Sequence, residues 1–257
     1  MATRDRGDAR KVLVESSGVE ATVIASELVK SIICEAVDQH NSCNIALAGG
    51  TTPHALYQEL AESCASGEVP WERVEVFFGD ERDVPQDHVE SNYRMVQKRL
   101  LDHVPVPPFQ VHPMPADSDD LIVASDEYER IIRQVVTDQV DDIPQFDLVL
   151  LGMGGDGHTA SLFPGTDALN EQQRLVTACF VPVLGRRRMT FTFPLINAAR
   201  NVILLVTGSD KAQAVEKLLS GDPAAQQTLP AARLKPAGKF FIVLDVDAAK
   251  LAGLKAS

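Results

Sequence analysis

The stretch FDLVLLGMGGDGHTASLFPG, residues 146–165, decides the fold of this chain of 257 residues. Its first six residues, FDLVLL, are almost entirely apolar, which is typical of a parallel strand buried on both faces. The strand leads into Gly152, Gly154 and Gly157, which match the G-x-G-x-x-G pattern of a dinucleotide-binding turn. The residues that follow decide between such a turn and a site where the histidine carries the chemistry.

A dinucleotide-binding turn needs a long helix after its third glycine and an acidic residue at the end of the next strand. Here His158 follows the glycine directly and Pro164 comes soon after, so a helix of one or two turns at most is expected. Glu171, the nearest acid at a suitable distance, precedes the next predicted strand instead of ending it. The context therefore excludes the dinucleotide turn and favours a glycine-lined turn that presents Asp156 and His158.

On either side of this stretch, short apolar runs alternate with amphipathic segments. The alternation predicts a doubly wound, mainly parallel sheet with helices on both faces, an α/β fold of the Rossmann-like type. We expect one domain over residues 1–257, with a small excursion around residues 105–142. The predicted strands are Lys11–Glu15, Asn44–Ala48, Val74–Phe78, Asp147–Leu151, Val176–Pro182, Met189–Phe193, Val202–Thr207 and Phe240–Leu244. The predicted helices are Glu20–Asp38, Pro53–Ser63, Asn92–Leu101, Leu121–Gln139 and Asp210–Leu219.

Composition limits the class of protein and its partners. With 45% hydrophobic residues the chain can bury a sizeable core, and its formal net charge of −12 argues against nucleic acid and anionic membranes as partners. No apolar run approaches the ~20 residues of a membrane span, and the first residues, MATRDRGDARK, lack the apolar core of a signal peptide. The four cysteines form no C-x-x-C pair and are interpreted as free thiols of a cytoplasmic protein.

Ligands of a doubly wound sheet bind beyond the carboxyl ends of its strands. One such end, ALAGGTTP at residues 46–53, places Gly50, Thr51 and Thr52 at the start of a helix. Glycines let the backbone approach a ligand closely, and the free N–H groups of a helix N-terminus bind anions. These residues alone are equally consistent with a phosphate site and with an ordinary capped turn.

Other strand ends carry the candidate charges. FFGDERD at residues 77–83 contains Asp80 and Arg82, which fit a ligand site as well as a solvated loop with internal ion pairs. Further along the chain, Arg188 begins a strand-like run and Lys211 lies in the first turn of a predicted helix. A lysine there is unfavourable with the helix dipole unless an anion is bound, which makes Lys211 a candidate phosphate ligand.

His158 is the candidate catalytic base. Histidine has an unperturbed pKa of about 6.5, which suits a general base near neutral pH, and the neighbouring Asp156 could orient the ring. The sequence contains no Walker A loop, no G-x-S-x-G elbow, no H-E-x-x-H motif and no Cys/His cluster, so no motif supports a nucleoside triphosphate, a serine nucleophile or a metal. The other histidines are interpreted as structural residues: His40, His54, His88, His103 and His112.

Several stretches together resemble the 6-phosphogluconolactonases. These are ALAGGTTP, FFGDERDVPQDHVESNY, GMGGDGHTASLFPG and RMTFTFPLINAARNVILLVTGSDKA, and LPAARLKP adds a fifth, weaker match. The resemblance implies membership of the glucosamine-6-phosphate deaminase and 6-phosphogluconolactonase superfamily. The deaminases carry D-G-H-I-A-F-N-E-P where this chain has DGHTASLFP, and the missing Asn-Glu pair counts against deamination.

The resemblance implies a carboxylic ester hydrolase that opens 6-phospho-D-glucono-1,5-lactone in the oxidative pentose phosphate pathway, without cofactor or metal. It implies His158 as the general base, with Asp156 and Arg82 as further catalytic residues. Asp156 is expected to support His158, and Asp80 to support Arg82. The residues expected to hold the substrate and its phosphate are Gly50, Thr51, Thr52, Asp80, Gly155, Arg188 and Lys211.

The expected partner is a small sugar-phosphate lactone, and the protein is expected to be a monomer. Two alternatives stay open from the sequence. One is an isomerase or deaminase acting on another sugar phosphate, and the other is a sugar-phosphate sensor without catalytic activity.

Overall fold

The computed structural model describes residues 10–63 and 67–256. Its centre is a sheet of six parallel strands, and the interior strands are buried along nearly their whole length. This confirms the predicted doubly wound α/β fold, because strands covered by helices on both faces must be apolar throughout. In their order across the sheet, the strands are β1 (Arg10–Glu15), β11 (Lys239–Asp245), β10 (Asn201–Val206), β7 (Leu148–Leu151), β2 (Cys43–Leu47) and β3 (Val74–Phe78).

The longer helices begin at capping residues that the sequence provides. Ser17 accepts a hydrogen bond from the Glu20 N–H, and Asp120 accepts from the N–H groups of Ile122 and Val123. The helices are α1 (Gly18–His40), α2 (Thr51–Ser63), α3 (Asn92–Val96), which continues as a π-helical turn (Gln97–Leu101), α4 (Leu121–Val135), α5 (Phe193–Ala198), α6 (Ala212–Leu219), α7 (Ala225–Thr228) and α8 (Val246–Ala249).

The strand order reverses between β2 and β7. From β2 the chain continues outward to β3 on one side, whereas from β7 it continues to β10 on the other side. The connections that leave β2 and β7 run in opposite directions and open a crevice at the carboxyl ends of these two strands. Doubly wound sheets bind their ligands in this crevice. The turn after β2 and the turn after β7 are the two glycine-rich segments that the sequence indicates.

A second, antiparallel sheet lies beside the first and was not among the sequence expectations. It consists of β4 (Asp80–Arg82), β9 (Arg186–Phe191) and β8 (Val176–Val181), in that order. Gly79 joins β3 to β4, and its carbonyl accepts from the Phe191 N–H at 2.8 Å. The predicted strands around residues 176–193 therefore exist but form a separate sheet that carries charged residues to the edge of the crevice. A short hairpin of β5 (Gln139–Val140) and β6 (Ile143–Pro144) completes the strands.

Several predicted boundaries differ from the structure. The second helix begins at Thr51 instead of Pro53, and α4 ends at Val135, before the hairpin that replaces its predicted last residues. No helix forms directly after Gly157, at residues 158–164, where an isolated bridge between Thr159 and Leu162 closes a turn instead. Such short turns depend on tertiary hydrogen bonds that local sequence does not encode. The helix α5 was missed because the Thr-Phe alternation before it reads as a strand.

Other expectations concern features that the structure describes only in part. Within the described residues, no helix is long and apolar enough to cross a membrane, and no cluster of His, Cys, Asp or Glu could hold a metal ion. Cys34, Cys43 and Cys179 are free thiols, while Cys64 lies outside the described residues. The prediction about the first residues also lies outside them. Single-domain organisation, a cytoplasmic location and a monomeric state stay predictions.

Candidate active site

A cavity of about 410 Å³ occupies the crevice between the turns after β2 and β7. Most of the residues singled out from the sequence line it, although they come from five separate parts of the chain. They are Gly50, Thr51, Thr52, Asp80, Arg82, His158, Arg188 and Lys211. Asp156 and Gly155 lie behind the lining, next to His158. The fold thus brings together the polar groups that the sequence places at separate strand ends.

The turn after β7 presents His158 from a tightly bonded loop. The Gly154 N–H donates to the His158 carbonyl at 2.9 Å, and the Gly157 N–H donates to the Gly154 carbonyl at 2.9 Å. Gly157 has a φ of +79°, in the left-handed region that side chains rarely adopt. Thr159 closes the loop by donating its hydroxyl to the Gly152 carbonyl. The glycines therefore shape a turn that holds an imidazole instead of a cofactor.

Asp156 holds the His158 ring. Its Oδ1 lies 2.6 Å from Nδ1 of His158 and also accepts the His158 backbone N–H at 3.1 Å. Burial acts to raise the pKa of Asp156, but the hydrogen bonds from His158 outweigh it, and the pKa of this carboxyl lies below its ordinary value. An ionised carboxylate only accepts hydrogen bonds, so Nδ1 is the donor to Asp156, and this tautomer of the imidazole has its lone pair on Nε2.

Phe163 and Gly154 both pack closely against the His158 ring. Phe163 stacks on one face, with ring centroids 3.9 Å apart and an angle of 18° between the planes. On Gly154, a Cβ atom would lie only 2.2 Å from the ring atoms of His158, so that backbone approaches more closely than any other residue allows. A β-carbon here would displace the imidazole, which explains why the turn needs glycine at this position.

The turn after β2 brings the N-terminus of α2 into the cavity. Tyr57 is fully buried, and its hydroxyl donates to the Ala48 carbonyl and accepts from the Ala48 N–H. Gly50 has a φ of +103°, and its carbonyl accepts the His54 N–H. The first turn of α2 contains no acidic residue, so the partial positive charge of its N-terminus is not cancelled locally.

The acidic residues of β4 are buried, which excludes a solvated loop. Asp80 accepts from the Ser161 hydroxyl at 2.6 Å and from the Asn92 amide at 3.2 Å. Arg82 instead donates to the Glu90 carbonyl, so the predicted support of Arg82 by Asp80 is wrong. Tertiary folding brings Ser161 to the carboxylate from a distant turn, and local sequence did not reveal that partner.

Glu81 is the most buried acid of the site and anchors the segment that follows. Its carboxylate accepts from the backbone N–H groups of Arg82, Asn92 and Tyr93, and from the Ser91 hydroxyl. Burial raises the pKa of Glu81 above its ordinary value, against the lowering effect of those hydrogen bonds. Glu81 thus fixes the start of α3, where Asn92 reaches the cavity.

Two arginines face the cavity without carboxylate partners. Arg82 and Arg188 lie directly opposite each other on β4 and β9, an arrangement of like charges that is unfavourable in an antiparallel pair. Burial and then the charge of Arg82 lower the pKa of Arg188. Within the described residues, neither arginine forms an ion pair. Their neighbours do, since Arg186 pairs with Glu90 and Arg187 with Asp83.

Lys211 adds a third positive group. It precedes α6 directly, and its Nζ lies 2.8 Å from the carboxylate of Asp210. This ion pair lowers the pKa of Asp210, chiefly through the hydrogen bond from Lys211. Lys211 is therefore partly neutralised, whereas the arginine pair is not. The Thr52 and Thr207 hydroxyls lie 3.1 Å apart and connect the two helix starts.

Sequence reasoning missed several residues of the site. Asn92 and Ser161 line the cavity and hold Asp80, and Phe163 and Leu184 supply its apolar surface. Asn92 was predicted only as the first residue of a helix, and no sequence pattern distinguished Ser161, Phe163 and Leu184 from their neighbours. The proximity of Ser161 to Asp80, which are 81 residues apart in sequence, had no sequence signal.

Comparisons with known proteins agree on the family. The family model described as "Glucosamine-6-phosphate isomerases/6-phosphogluconolactonase" matches residues 18–242. A protein of Synechocystis sp. named 6-phosphogluconolactonase is 41% identical over 220 residues, covering 86% of this chain and 89% of that protein. A relative of the same name from Nostoc sp. is 37% identical over 223 residues, covering 86% and 90% of the two chains.

Solved structures show the same relationship. The structure described as 6-phosphogluconolactonase from Trypanosoma cruzi matches with a TM-score of 0.84 at 32% identity and covers 95% of this chain and 97% of that one. A monomeric glucosamine-6-phosphate deaminase matches with a TM-score of 0.78 at 22% identity and covers 94% and 99% of the two chains. The second likeness shows the fold alone, so the fold does not separate lactonases from deaminases.

Proposed function

This chain belongs to the family of glucosamine-6-phosphate isomerases and 6-phosphogluconolactonases and is a 6-phosphogluconolactonase; we propose that His158 is its general base. The substrate is 6-phospho-D-glucono-1,5-lactone, and the reaction belongs to the oxidative pentose phosphate pathway. The observation that carries the role of His158 is its geometry. Asp156 occupies Nδ1 at 2.6 Å, and the ring lines a cavity that also contains unpaired positive charge.

The reaction requires only a base and a positive partner. Nε2 of His158 takes a proton from water while the water oxygen bonds to the lactone carbonyl carbon. The tetrahedral oxyanion then collapses, the bond to the ring oxygen breaks, and the imidazolium returns the proton to that oxygen. Asp156 stabilises the imidazolium that forms between the two steps. The product acid ionises, so turnover releases one proton to solvent.

The positive groups of the cavity serve the phosphate and the oxyanion. A phosphate carries about −1.5 to −2 charges near neutral pH, and the chain as a whole repels it. The arginine pair, Lys211 and the N-terminus of α2 supply the attraction locally. Bringing an anion between Arg82 and Arg188 relieves the repulsion of their cross-strand arrangement. A bound anion therefore stabilises the arginine pair, and the arginine pair in turn attracts the anion.

The alternatives in the same superfamily differ at a defined position. Deaminases carry an Asn-Glu pair at the two positions that Leu162 and Phe163 occupy in the segment DGHTASLFP of this chain. Here Leu162 is fully buried, and Phe163 stacks on the base, so neither position offers a carboxylate. The site therefore supports hydrolysis better than deamination.

The test follows acid release from freshly prepared 6-phosphogluconolactone at neutral pH, corrected for spontaneous opening. Glucosamine 6-phosphate is offered in parallel. We expect catalysed opening of the lactone and no turnover of the amino sugar. A protein that binds 6-phosphogluconate yet opens no lactone would be a sensor, and the proposed function would fail.

A second experiment assigns the cations. Arg82→Ala, Arg188→Ala and Lys211→Ala are each assayed with the phosphorylated lactone and with unphosphorylated glucono-1,5-lactone. A residue that binds phosphate lowers kcat/KM for the phosphorylated substrate alone, by on the order of 10- to 10²-fold, whereas a residue at the carbonyl lowers both. Arg187→Ala is the matched control, because Arg187 pairs with Asp83 at the surface and both substrates should keep their rates.

A further inference from the structure

Three groups confine the imidazole of His158. The Asp156 carboxylate holds Nδ1, the backbone of Gly154 lies close to Nδ1 and Cε1, and Phe163 covers one face at a centroid distance of 3.9 Å. Phe163 itself is only 7% exposed. Its carbonyl accepts from both the N–H and the hydroxyl of Thr166, so the segment behind the aromatic ring is fixed as well.

We propose that Phe163 is a positioning residue for catalysis, which sets the plane of the His158 ring and therefore the direction of the Nε2 lone pair. The proposal rests on the proposed role of His158 as general base. It assigns to an apolar side chain a function that neither charge nor hydrogen bonding reveals.

The Asp156 carboxylate alone does not fix the orientation of the His158 ring plane. The second side-chain torsion of histidine has a broad profile, so the torsion alone does not hold the ring plane. A hydrogen bond to Nδ1 fixes the position of that atom, but the ring plane can still tilt about the axis of the hydrogen bond. Gly154 lies close to Nδ1 and Cε1, at the same edge of the ring as the hydrogen bond. The flat face of Phe163, at 18° to the imidazole, is the contact that restrains the ring plane.

Misdirection of a base is costly because proton transfer requires an aligned lone pair. A displacement of about 1 Å in a reacting group lowers rates by on the order of 10²-fold. An aliphatic side chain in place of Phe163 would fill most of the space but would not present a plane. We therefore expect the loss to fall on kcat, since substrate binding depends on the positive groups elsewhere in the cavity.

The protein contains a matched control for stacking without catalysis. Phe77 stacks on His112 with centroids 4.4 Å apart and an interplanar angle of 23°, and Nε2 of His112 lies 2.7 Å from Glu75. Phe77 is completely buried in the core, whereas Phe163 borders the cavity. Replacing Phe77 by leucine therefore removes the same kind of contact and disturbs packing at least as strongly, at a residue that does not line the cavity.

The experiment compares Phe163→Leu, Phe163→Met and Phe77→Leu with the wild type. Folding is checked by thermal unfolding, and kcat and KM are measured for the phosphorylated lactone. We expect both Phe163 variants to lose about tenfold or more in kcat with KM within about twofold. The Phe77→Leu variant should keep its kcat within about twofold even when its melting temperature falls further. Phe163→Met is included in case Phe163→Leu does not fold, because the flexible side chain of methionine fills irregular space.

Two results would overturn the positioning role. Full kcat in a folded Phe163 variant would show that the stacked plane is not needed. A raised KM with unchanged kcat would make Phe163 a substrate contact instead. Failure of the proposed function has a different signature, because His158→Ala would then keep its activity whatever the Phe163 variants do.

Discussion

Two histidines of this protein have the same kinds of contact partner, a carboxylate and a phenylalanine ring, but they lie in different parts of the molecule. His158 bonds to Asp156 at 2.6 Å and stacks on Phe163, and His112 bonds to Glu75 at 2.7 Å and also stacks on a phenylalanine. The side chain of His158 is 31% exposed and borders the cavity, whereas that of His112 is 15% exposed and lies away from it.

Under the proposed mechanism, a carboxylate and an aromatic ring are not enough to make a histidine a general base. His112 uses Nε2 for its carboxylate, and it lies beside β3 where the sheet packs against the rest of the core. His158 uses Nδ1 for its carboxylate, and its ring lines the cavity at the carboxyl ends of the strands together with Arg82, Arg188 and Lys211. Two features distinguish the histidines. His158 lies where the strand order of the sheet reverses, and the two rings use different nitrogens for their carboxylates.

Removal of each imidazole should give the largest contrast. We expect His158→Ala to lower kcat by on the order of 10²- to 10⁴-fold, the usual contribution of a general base, with little change in stability. His112→Ala should keep kcat within about twofold and lower the free energy of unfolding by about 1–3 kcal/mol, because a buried hydrogen bond is lost. Lactone assays and urea unfolding of both variants check this, and equal effects on kcat would remove the distinction between the sites.

A methyl group on Gly154 should disturb His158, the proposed base, and leave His112 in place. The added Cβ of Gly154→Ala would meet the His158 ring at 2.2 Å and must displace it, so we expect kcat to fall by on the order of 10²-fold. Gly18→Ala is the matched control, since its Cβ would have ordinary contacts at 3.5 Å and longer in the first turn of α1. Steady-state kinetics on both variants, with a crystal structure of Gly154→Ala, would reveal the displacement. Unchanged activity with a shifted ring would contradict the proposed mechanism.

Replacing the carboxylates of Asp156 and Glu75 by amides tests the difference between the two histidines further. Asp156→Asn keeps the shape but no longer forces the proton onto Nδ1, so we expect kcat to fall by about tenfold or more. Glu75→Gln should leave kcat within about twofold. The assay is acid release at saturating substrate, where binding differences do not contribute. Loss of activity in Glu75→Gln would show that the His112 region influences the active site.

The smallest expected effect is on stability at low pH. The pKa of Asp156 is lowered in the folded state, so its stabilising contribution is present above the unfolded pKa of about 3.9 and is lost as pH falls through the folded value. The difference in unfolding free energy between the wild type and Asp156→Asn should therefore be constant near neutrality and shrink below about pH 4. Urea unfolding from pH 7 to pH 3 measures it, and a constant difference would show that the Asp156–His158 bond is not linked to protonation.

Much of the site was predictable because its residues follow strands. A buried apolar run that ends in glycine indicates both the strand and its carboxyl end, and this placed Thr52, Asp80, His158 and Lys211 at one edge of the sheet. The charged stretch after β3 was harder to interpret. Its acids read equally as a solvated loop, and only the burial of Glu81 under α3 decides against that alternative.

The sequence by itself determined the α/β class, the family, and a glycine turn that carries an imidazole, because these follow from local periodicity and short motifs. Tertiary structure decided which groups meet. The antiparallel sheet places Arg82 opposite Arg188 across 106 residues of sequence, and the return of the chain brings Ser161 to Asp80. Pairing between distant strands depends on packing and register over the whole fold, which no local pattern contains.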